Sequence, residues 1–200
     1  NANKAYQTVG ISANDYMEQV TSFSASLLSS LGGDTAKSAE VANTAMVDMA
    51  DNANKMGTDM GSIQNAYQGF AKQNYTMLDN LKLGYGGTKE EMQRLLNDAQ
   101  QLTGVKYNID NLSDVYNAIH AIQENLGVAG TTAMEASETF SGAFAMMKAS
   151  AKNLLGNLSV GDGKAVAKNM GELVESASTF FFGNFIPMLQ TIFSNLPTAI

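Results

Sequence analysis

The chain has 200 residues and a mass of 21.2 kDa, enough for one good-sized domain or two small ones. It contains no cysteine and one histidine, which excludes disulfide frameworks, thiolate metal sites, cysteine nucleophiles and multi-histidine metal centres. Its net charge is −7, and Arg94 is its only arginine, so a sequence-specific DNA-binding role is disfavoured. Two prolines and 12 methionines favour long helices over a turn-rich β fold.

The first seventy residues predict three helices that are separated by glycine. The first begins near Ser12 or Asn14 and ends at Gly32, where glycine permits a left-handed turn. Asp34 then suits the N-cap of a second helix. A break is expected within 57–59, which reads as a C-cap followed by a new N-cap. The apolar positions of the first helix are Met17, Val20, Phe23, Leu27 and Leu31, and those of the second seam are Ala42, Met46, Met49, Ala53, Met56 and Met60.

The middle of the chain predicts a glycine-rich loop and two more helices. Residues 74–83 are too irregular to assign, and 84–87 form the loop. Thr88 and Glu91 have the spacing of a capping box, and Gly104 ends the helix that follows. The expected apolar faces are Met92, Leu95, Leu96, Ala99 and Leu102 for this helix, and Leu112, Val115, Ile119, Ile122 and Leu126 for the next. Residues 105–109 are the best candidate for a strand, but no segment demands a sheet.

The C-terminal third predicts one long helix and a phenylalanine-rich segment. Thr132 and Glu135 form a second capping box. The long helix has its apolar side at Phe140, Phe144, Met147, Ala151, Leu154 and Leu158. Beyond the glycines of 160–163, polar residues interrupt the apolar run, so two amphipathic pieces with a kink at 184–187 are expected rather than a membrane span.

These patterns predict a mainly α fold: a multi-helix bundle with glycine-broken helices and a longer C-terminal helical extension. We expect residues 1–127 to form a helical core bundle. Residues 128–200 form a long helix followed by kinked helices, which pack on the first domain or stand apart from it.

The residues that could carry chemistry are few. Three acidic pairs lie one turn apart and are expected on solvated helix faces: Asp48 with Asp51, Glu135 with Glu138, and Glu172 with Glu175. His120 lies off the apolar stripe of its helix, and we expect a partly exposed side chain rather than a catalytic base. The loop 84–89 lacks the spacing of a phosphate-binding P-loop and predicts a helix–helix turn. No catalytic, cofactor or metal residues are therefore assigned.

Two apolar seams remain as candidate contact surfaces. The methionine seam packs either in the core or against a partner, because methionine fills irregular gaps and tolerates alternative packings. The phenylalanine-rich segment is a terminal core helix, an oligomer contact or a membrane-surface helix. The candidate partner or oligomer residues are Met46, Met49, Met56, Met60, Phe180, Phe181, Phe182, Phe185 and Ile186.

Several long strings of the sequence resemble the core region of phage tail tape measure proteins. Three carry most of the resemblance: 51–60 (DNANKMGTDM), 64–75 (QNAYQGFAKQNY) and 81–88 (LKLGYGGT). Shorter strings add to it at 12–17, 21–27, 31–34, 102–105 and 119–123. Together they extend over most of residues 10–150, and the later helices resemble the continuation of the family less specifically.

The resemblance implies a structural protein of a siphophage-type or prophage tail. Members of this family are long, helical and multi-copy inside the tail tube, where they act as a ruler for tube polymerisation and leave during DNA ejection. The implied partners are tail tube proteins, tail-tip proteins, assembly chaperones and further copies of the chain. The implied location is the virion, after assembly in the bacterial host cytoplasm.

Two other functions remain open at this point. Some family members carry peptidoglycan hydrolase modules; such an activity here would have to use Glu135, Glu138 or His120. A membrane-active module with transient membrane contact during DNA entry would use the phenylalanine-rich segment. The chain lacks an initiator methionine and stops within a pattern, so we expect it to be a piece of a longer protein.

Overall fold

A computed structural model describes residues 2–194, with side chains except at 3, 6, 136, 137, 140, 141 and 192–194. The regular secondary structure of these residues is entirely helical, which confirms the predicted mainly α fold. The α-helices are α1 (Ala5–Thr8), α2 (Ala13–Leu27), α3 (Thr35–Met56), α4 (Met60–Phe70), α5 (Lys89–Thr103), α6 (Leu112–Asn125), α7 (Thr131–Glu138), α8 (Phe140–Val160), α9 (Gly163–Ser178) and α10 (Ile186–Ser194). Short 3-10 helices cover Ala2–Lys4 and Leu78–Leu81, and a π-helix covers Thr179–Phe185. Residues 105–109, the best candidate for a strand, are irregular.

The helix boundaries follow local capping signals. Asp34 accepts a hydrogen bond from the backbone N–H of Lys37 and begins α3. The predicted break between α3 and α4 is confirmed: Gly57 has a φ of 63°, and Asp59 caps α4 through the N–H of Ser62. At α5, Thr88 accepts from the N–H of Glu91 as expected.

The chain divides into two compact units. One comprises residues 17–132, and the other joins residues 1–16 to residues 133–200. The first sixteen residues thus belong with the C-terminal helices and not with the core bundle predicted for 1–127. The reason is tertiary: α1 packs on α8, and Asp15 forms an ion pair with Lys152 at 2.6 Å. Local periodicity carries no information about which distant helix a short segment meets.

In the unit of residues 17–132, α6 packs against both α3 and α5, and α3 also packs against α4. Aromatic rings fill the interior: the Tyr67 and Tyr116 rings lie 5.0 Å apart, and the Tyr116 hydroxyl donates to the backbone oxygen of Tyr67 at 2.8 Å. The largest fully buried side chains are Tyr67, Tyr116, Phe70, Leu27, Met46, Met49, Ile63, Leu78, Leu81, Met92, Leu95 and Leu96.

In the other unit, α8 and α9 pack along each other. The apolar face predicted for α8 is wrong at Phe144 and Leu158, which are exposed. The other predicted positions, Met147, Ala151 and Leu154, are half-buried, and the side chain of Phe140 lies outside the described residues. The buried positions are Ala143, Met146, Ala149, Ser150 and Asn153. Small residues allow the two helices to approach closely, and the Ser150 hydroxyl lies 2.5 Å from the Ser176 hydroxyl of α9.

The phenylalanine-rich region is helical throughout its described length. Where a kink was predicted, at 184–187, the π-helix gives way to α10. The π register suits the region because Pro187 has no N–H to donate to the preceding turn. Among residues 2–194, none of the helices combines the length and the hydrophobicity that a bilayer crossing requires.

Candidate functional site

Asp48 and Asp51 of α3 are buried, which contradicts the predicted solvated face. Each has an exposed fraction of 1%. They lie on the side of α3 that packs toward α6, one helical turn apart. Because a buried carboxylate requires compensation by charge or hydrogen bonds, the partners of these two residues define the most unusual chemistry in the described chain.

His120 of α6 is the partner of Asp48. The imidazole Nδ1 lies 2.7 Å from Asp48 Oδ1, within hydrogen-bond distance of a buried carboxyl group. The hydrogen bond and negative charge of Asp48 raise the pKa of His120 above its ordinary value, although burial opposes them. Burial raises the pKa of Asp48, and His120 partly offsets this. The pair therefore holds a proton more firmly in the folded state than its members would in water.

The second nitrogen of His120 faces another acid. Nε2 lies 3.5 Å from Glu124 Oε1, one turn along α6. A carboxylate thus occupies the position that a serine nucleophile takes in a hydrolase triad. His120 thus lies between two carboxyl groups, of which that of Asp48 is buried and that of Glu124 is exposed.

Asp51 caps a helix far from it in sequence. Its Oδ2 accepts from the N–H of Gly130 at 2.6 Å, and its Oδ1 accepts from the N–H of Thr132 at 2.8 Å. The Thr131 hydroxyl donates to the backbone oxygen of Val128 at 2.8 Å and lies 3.3 Å from the backbone oxygen of Asp51. The capping box predicted at Thr132 is therefore wrong: α7 already includes Thr131, and a carboxylate of α3 accepts from the N–H groups of Gly130 and Thr132 at its start.

Neutral polar groups complete this cluster. Tyr67 of α4 is buried, and burial together with the charge of Asp48 raises the pKa of its hydroxyl. The Gln123 side chain lies against the Tyr67 hydroxyl. In the described part of the chain, Asp48 Oδ2 and Asn52 Oδ1 are buried without a hydrogen-bond partner. Such atoms are uncommon in folded proteins, which distinguishes the cluster from an ordinary packed core.

A sequence signal for this cluster exists but is weak. Val41, Ala45, Asp48 and Asn52 follow one another at spacings of 4, 3 and 4, so the polar pair continues a stripe that apolar residues begin. The pairing with His120 has no local signal, because 72 residues separate it from Asp48. Within the described residues, no group of three or more His, Asp or Glu side chains is arranged to hold a metal ion.

The methionine seam divides into a buried and a partly exposed part. Met46 and Met49 are fully buried, so the prediction of a partner face is wrong for these two. They lie on the packed side of α3, where their flexible side chains fill the interior. Met56 and Met60, beside the break between α3 and α4, are partly exposed.

The phenylalanine-rich segment is divided in the same way. The Phe180 ring is buried and lies 5.4 Å from the ring of Phe144 and 5.9 Å from that of Phe185. Phe181 and Phe182 are exposed, Phe182 to 71%, and Ile186 is exposed beside them. Of the predicted contact residues, Phe180 is therefore part of the packing, whereas Phe181, Phe182 and Ile186 are exposed apolar side chains.

The other candidates are explained locally. In the loop 84–89, the N–H of Gly86 donates to Glu91 Oε2 at 2.9 Å, so a carboxylate of α5 already occupies the place of an anion. The hydrogen bonds from Arg94 and Gly86 lower the pKa of Glu91 to about 2. Glu138 is exposed and Glu135 is half-buried.

Comparison with protein-family models, curated proteins and solved structures found no match.

Proposed function

We propose that this chain is part of a phage tail tape measure protein and acts as a structural component in tail length determination, tube assembly and DNA ejection. The observation that carries the proposal is the set of long strings at 51–60, 64–75 and 81–88, which resemble that family. The helical fold is compatible with it. A ruler works through length and contacts, so it requires no bond to be made or broken.

The distribution of charge supports passage beside DNA. Residues 17–132 contain seven basic and thirteen acidic side chains, for a net charge of −6, whereas the other unit has five and six, for −1. An acidic surface with one arginine does not neutralise phosphates, so it repels DNA rather than retaining it. This property suits a protein that occupies the same tube through which the genome leaves.

The exposed apolar surface supplies a contact for other tail proteins. Phe181, Phe182 and Ile186 lie near Met170 and Val174 in sequence, and all five are exposed. Exposed apolar residues that form a patch mark interaction sites, and we propose that these side chains form one. The proposed partners are tail tube and tail-tip proteins, assembly chaperones and further copies of the chain, within the virion.

Deletion in the phage tests the proposal directly. Removing the codons for these residues in frame should shorten or abolish tails, seen by electron microscopy, and reduce DNA delivery. The shortening cannot exceed about 300 Å, the length of 200 residues in one α-helix, and folded units contribute less. Normal tails together with normal DNA delivery would contradict the proposal.

A point variant separates the contact surface from the fold. The change Phe182→Ser, at the most exposed of these side chains, should impair tail assembly without lowering the melting temperature of the chain. The matched control is Glu175→Gln, which changes an exposed side chain on the preceding helix. Equal tail assembly in the two variants would exclude this surface as a partner contact.

The exposed phenylalanines also favour a second candidate, a membrane-active module. Leakage of dye from liposomes should then depend on Phe181 and Phe182, with the buried Phe180 left intact so that the fold is preserved. Leakage by the native chain that is lost in the Phe181→Ser/Phe182→Ser variant would favour this function. Absence of leakage by the native chain would exclude it.

Peptidoglycan hydrolysis is tested by zymography. We propose that the chain is not an enzyme, because Glu124 lies where His120 would need a nucleophile. Clearing of peptidoglycan by the native chain would overturn this, and loss of the clearing in His120→Gln would assign the activity to His120.

A further inference from the structure

The stretch from His120 to Thr132 is attached to α3 at two places. The first is the contact of His120 with Asp48. The second consists of the hydrogen bonds that Asp51 accepts from the N–H groups of Gly130 and Thr132. Both carboxylates belong to one helix and lie one turn apart. The two attachments therefore hold the end of α6 and the segment that follows it against the same short part of α3.

The backbone between the attachments forms a tight connection. Gly127 has a φ of 64°, and the N–H of Val128 donates to the backbone oxygen of Gln123 at 2.9 Å. The Val128 side chain is fully buried. A displacement of the α6 end is thus transmitted through few residues to Gly130 and Thr132.

The charges around His120 are of one sign. Asp48 and Asp51 face it from α3, and Glu124 faces it from its own helix. From α4, the Tyr67 hydroxyl faces Asp48 and is neutral. When His120 carries a proton, it compensates these acids. When it loses the proton, none of the groups named here carries a positive charge. The buried carboxylates of Asp48 and Asp51 then repel each other.

We propose that the Asp48–His120 pair is a proton-dependent tie, and that loss of the His120 proton loosens residues 128–132 from α3 while the rest of the unit stays folded. The tie acts at the end of the unit of residues 17–132, where the chain leaves it. The proposal rests on the geometry of this cluster and is independent of the proposed function.

Because His120 is the only histidine in the sequence, its pKa can be measured directly. In an NMR titration of the whole chain, the ring protons of His120 report one site without assignment ambiguity. We expect a pKa above 6.5 in the native chain and a lower one in both Asp48→Asn and Glu124→Gln, since each removes a negative charge that favours the imidazolium. A native pKa at or below 6.5 would overturn the proposal.

Amide hydrogen exchange then tests the loosening. Between pH 6 and pH 9, the protection of the Gly130 and Thr132 amides, corrected for intrinsic exchange, should fall. The His120 pKa is higher when residues 128–132 are attached to α3 than when they are loosened. For each pKa unit of this difference, the protection factor should fall about tenfold. At each pH, the amides of Ile63 and Ala66 in α4 should stay more protected than those of Gly130 and Thr132, because they exchange only when the whole unit unfolds.

His120→Gln is the decisive variant, because glutamine can still donate to Asp48 but cannot take up a proton. Its Gly130 and Thr132 amides should be weakly protected at both pH values. Unchanged protection of Gly130 and Thr132 in the native chain from pH 6 to pH 9, protection of these two amides equal to that of Ile63 and Ala66 at pH 9, or the same pH dependence in His120→Gln would each overturn the proposal. Should Asp48→Asn fail to fold, Glu124→Gln and His120→Gln still decide it.

Discussion

At the scale of single residues, burial separates side chains that look alike in the sequence. Asp48 and Asp51 resemble the other acids spaced one turn apart, yet they lie in the interior and require partners. Gly86 and Gly87 are adjacent in one loop, yet only the second lies against backbone. A Cβ on Gly87 would meet the Thr76 carbonyl at a distance that real side chains do not show.

Gly87→Ala should therefore destabilise the chain by about 1–3 kcal/mol, the usual cost of overpacking, because the neighbouring backbone cannot yield easily. Gly86→Ala is the matched control, since its Cβ would meet only the flexible side chain of Glu91 at 3.4 Å. Chemical denaturation measures both. Equal stability of the two variants would show that the loop adapts to either substitution.

A substitution at Tyr116 measures how much one buried hydrogen bond contributes to stability. Tyr116→Phe keeps the ring that packs on Tyr67 but removes the donor to the Tyr67 backbone oxygen. The expected loss is about 1 kcal/mol in the free energy of unfolding, since the carbonyl still accepts from the N–H of Ala71. Tyr107→Phe, near the surface, is the control, and a loss as large there would point to a general effect of removing a hydroxyl.

At the scale of elements, most helices begin with a cap from their own residues. Asp34, Asp59, Thr88, Asn111 and Asp162 each accept from an N–H two or three residues ahead. These caps are readable from the sequence because the donor and acceptor are close in the chain. The start of α7 differs, because its cap comes from α3, 79–81 residues earlier.

Asp51→Ala should consequently cost more than removal of a local cap. It leaves two N–H groups at the start of α7 without their acceptor, and we expect a loss of about 2–4 kcal/mol. Asp59→Ala, at the exposed start of α4, should cost only about 1 kcal/mol. Thermal and chemical denaturation compare the two; a larger loss for Asp59→Ala would contradict the importance of the long-range cap.

At the scale of the whole molecule, the chain forms two units with different character. Residues 17–132 hold most of the net negative charge and a continuous interior of aromatic, leucine and methionine side chains. A unit of this size with its own core is expected to fold without the rest of the chain.

A fragment of residues 12–132, which includes the complete α2, should therefore be helical and unfold in one cooperative transition. Circular dichroism during heating measures this. A helical spectrum that fades gradually on heating would show that the unit depends on residues outside the fragment.

The linkage of stability to pH also belongs to this scale. The pKa values of both His120 and Asp48 are raised in the folded state, so that state binds more protons than the unfolded one. The stabilisation from His120 is complete below its unfolded pKa of about 6.5 and is lost as pH rises through its folded pKa. The melting temperature of the native chain should thus fall from pH 6 toward pH 9, and less so in His120→Gln.

The sequence alone determined the helical class, the break at 57–59, the local caps and the lack of thiol chemistry. Each of these depends on interactions within about one helical turn, so neighbouring residues contain the necessary information.

Only the tertiary structure decided which face of α8 is buried, where residues 1–16 belong, and that Asp48, Asp51 and His120 meet. These outcomes depend on the packing of helices that are distant in sequence. A polar residue on a buried helix face has the same local pattern as one on a solvated face. Its role is set when another helix brings a partner, as α6 brings His120 to Asp48 across 72 residues.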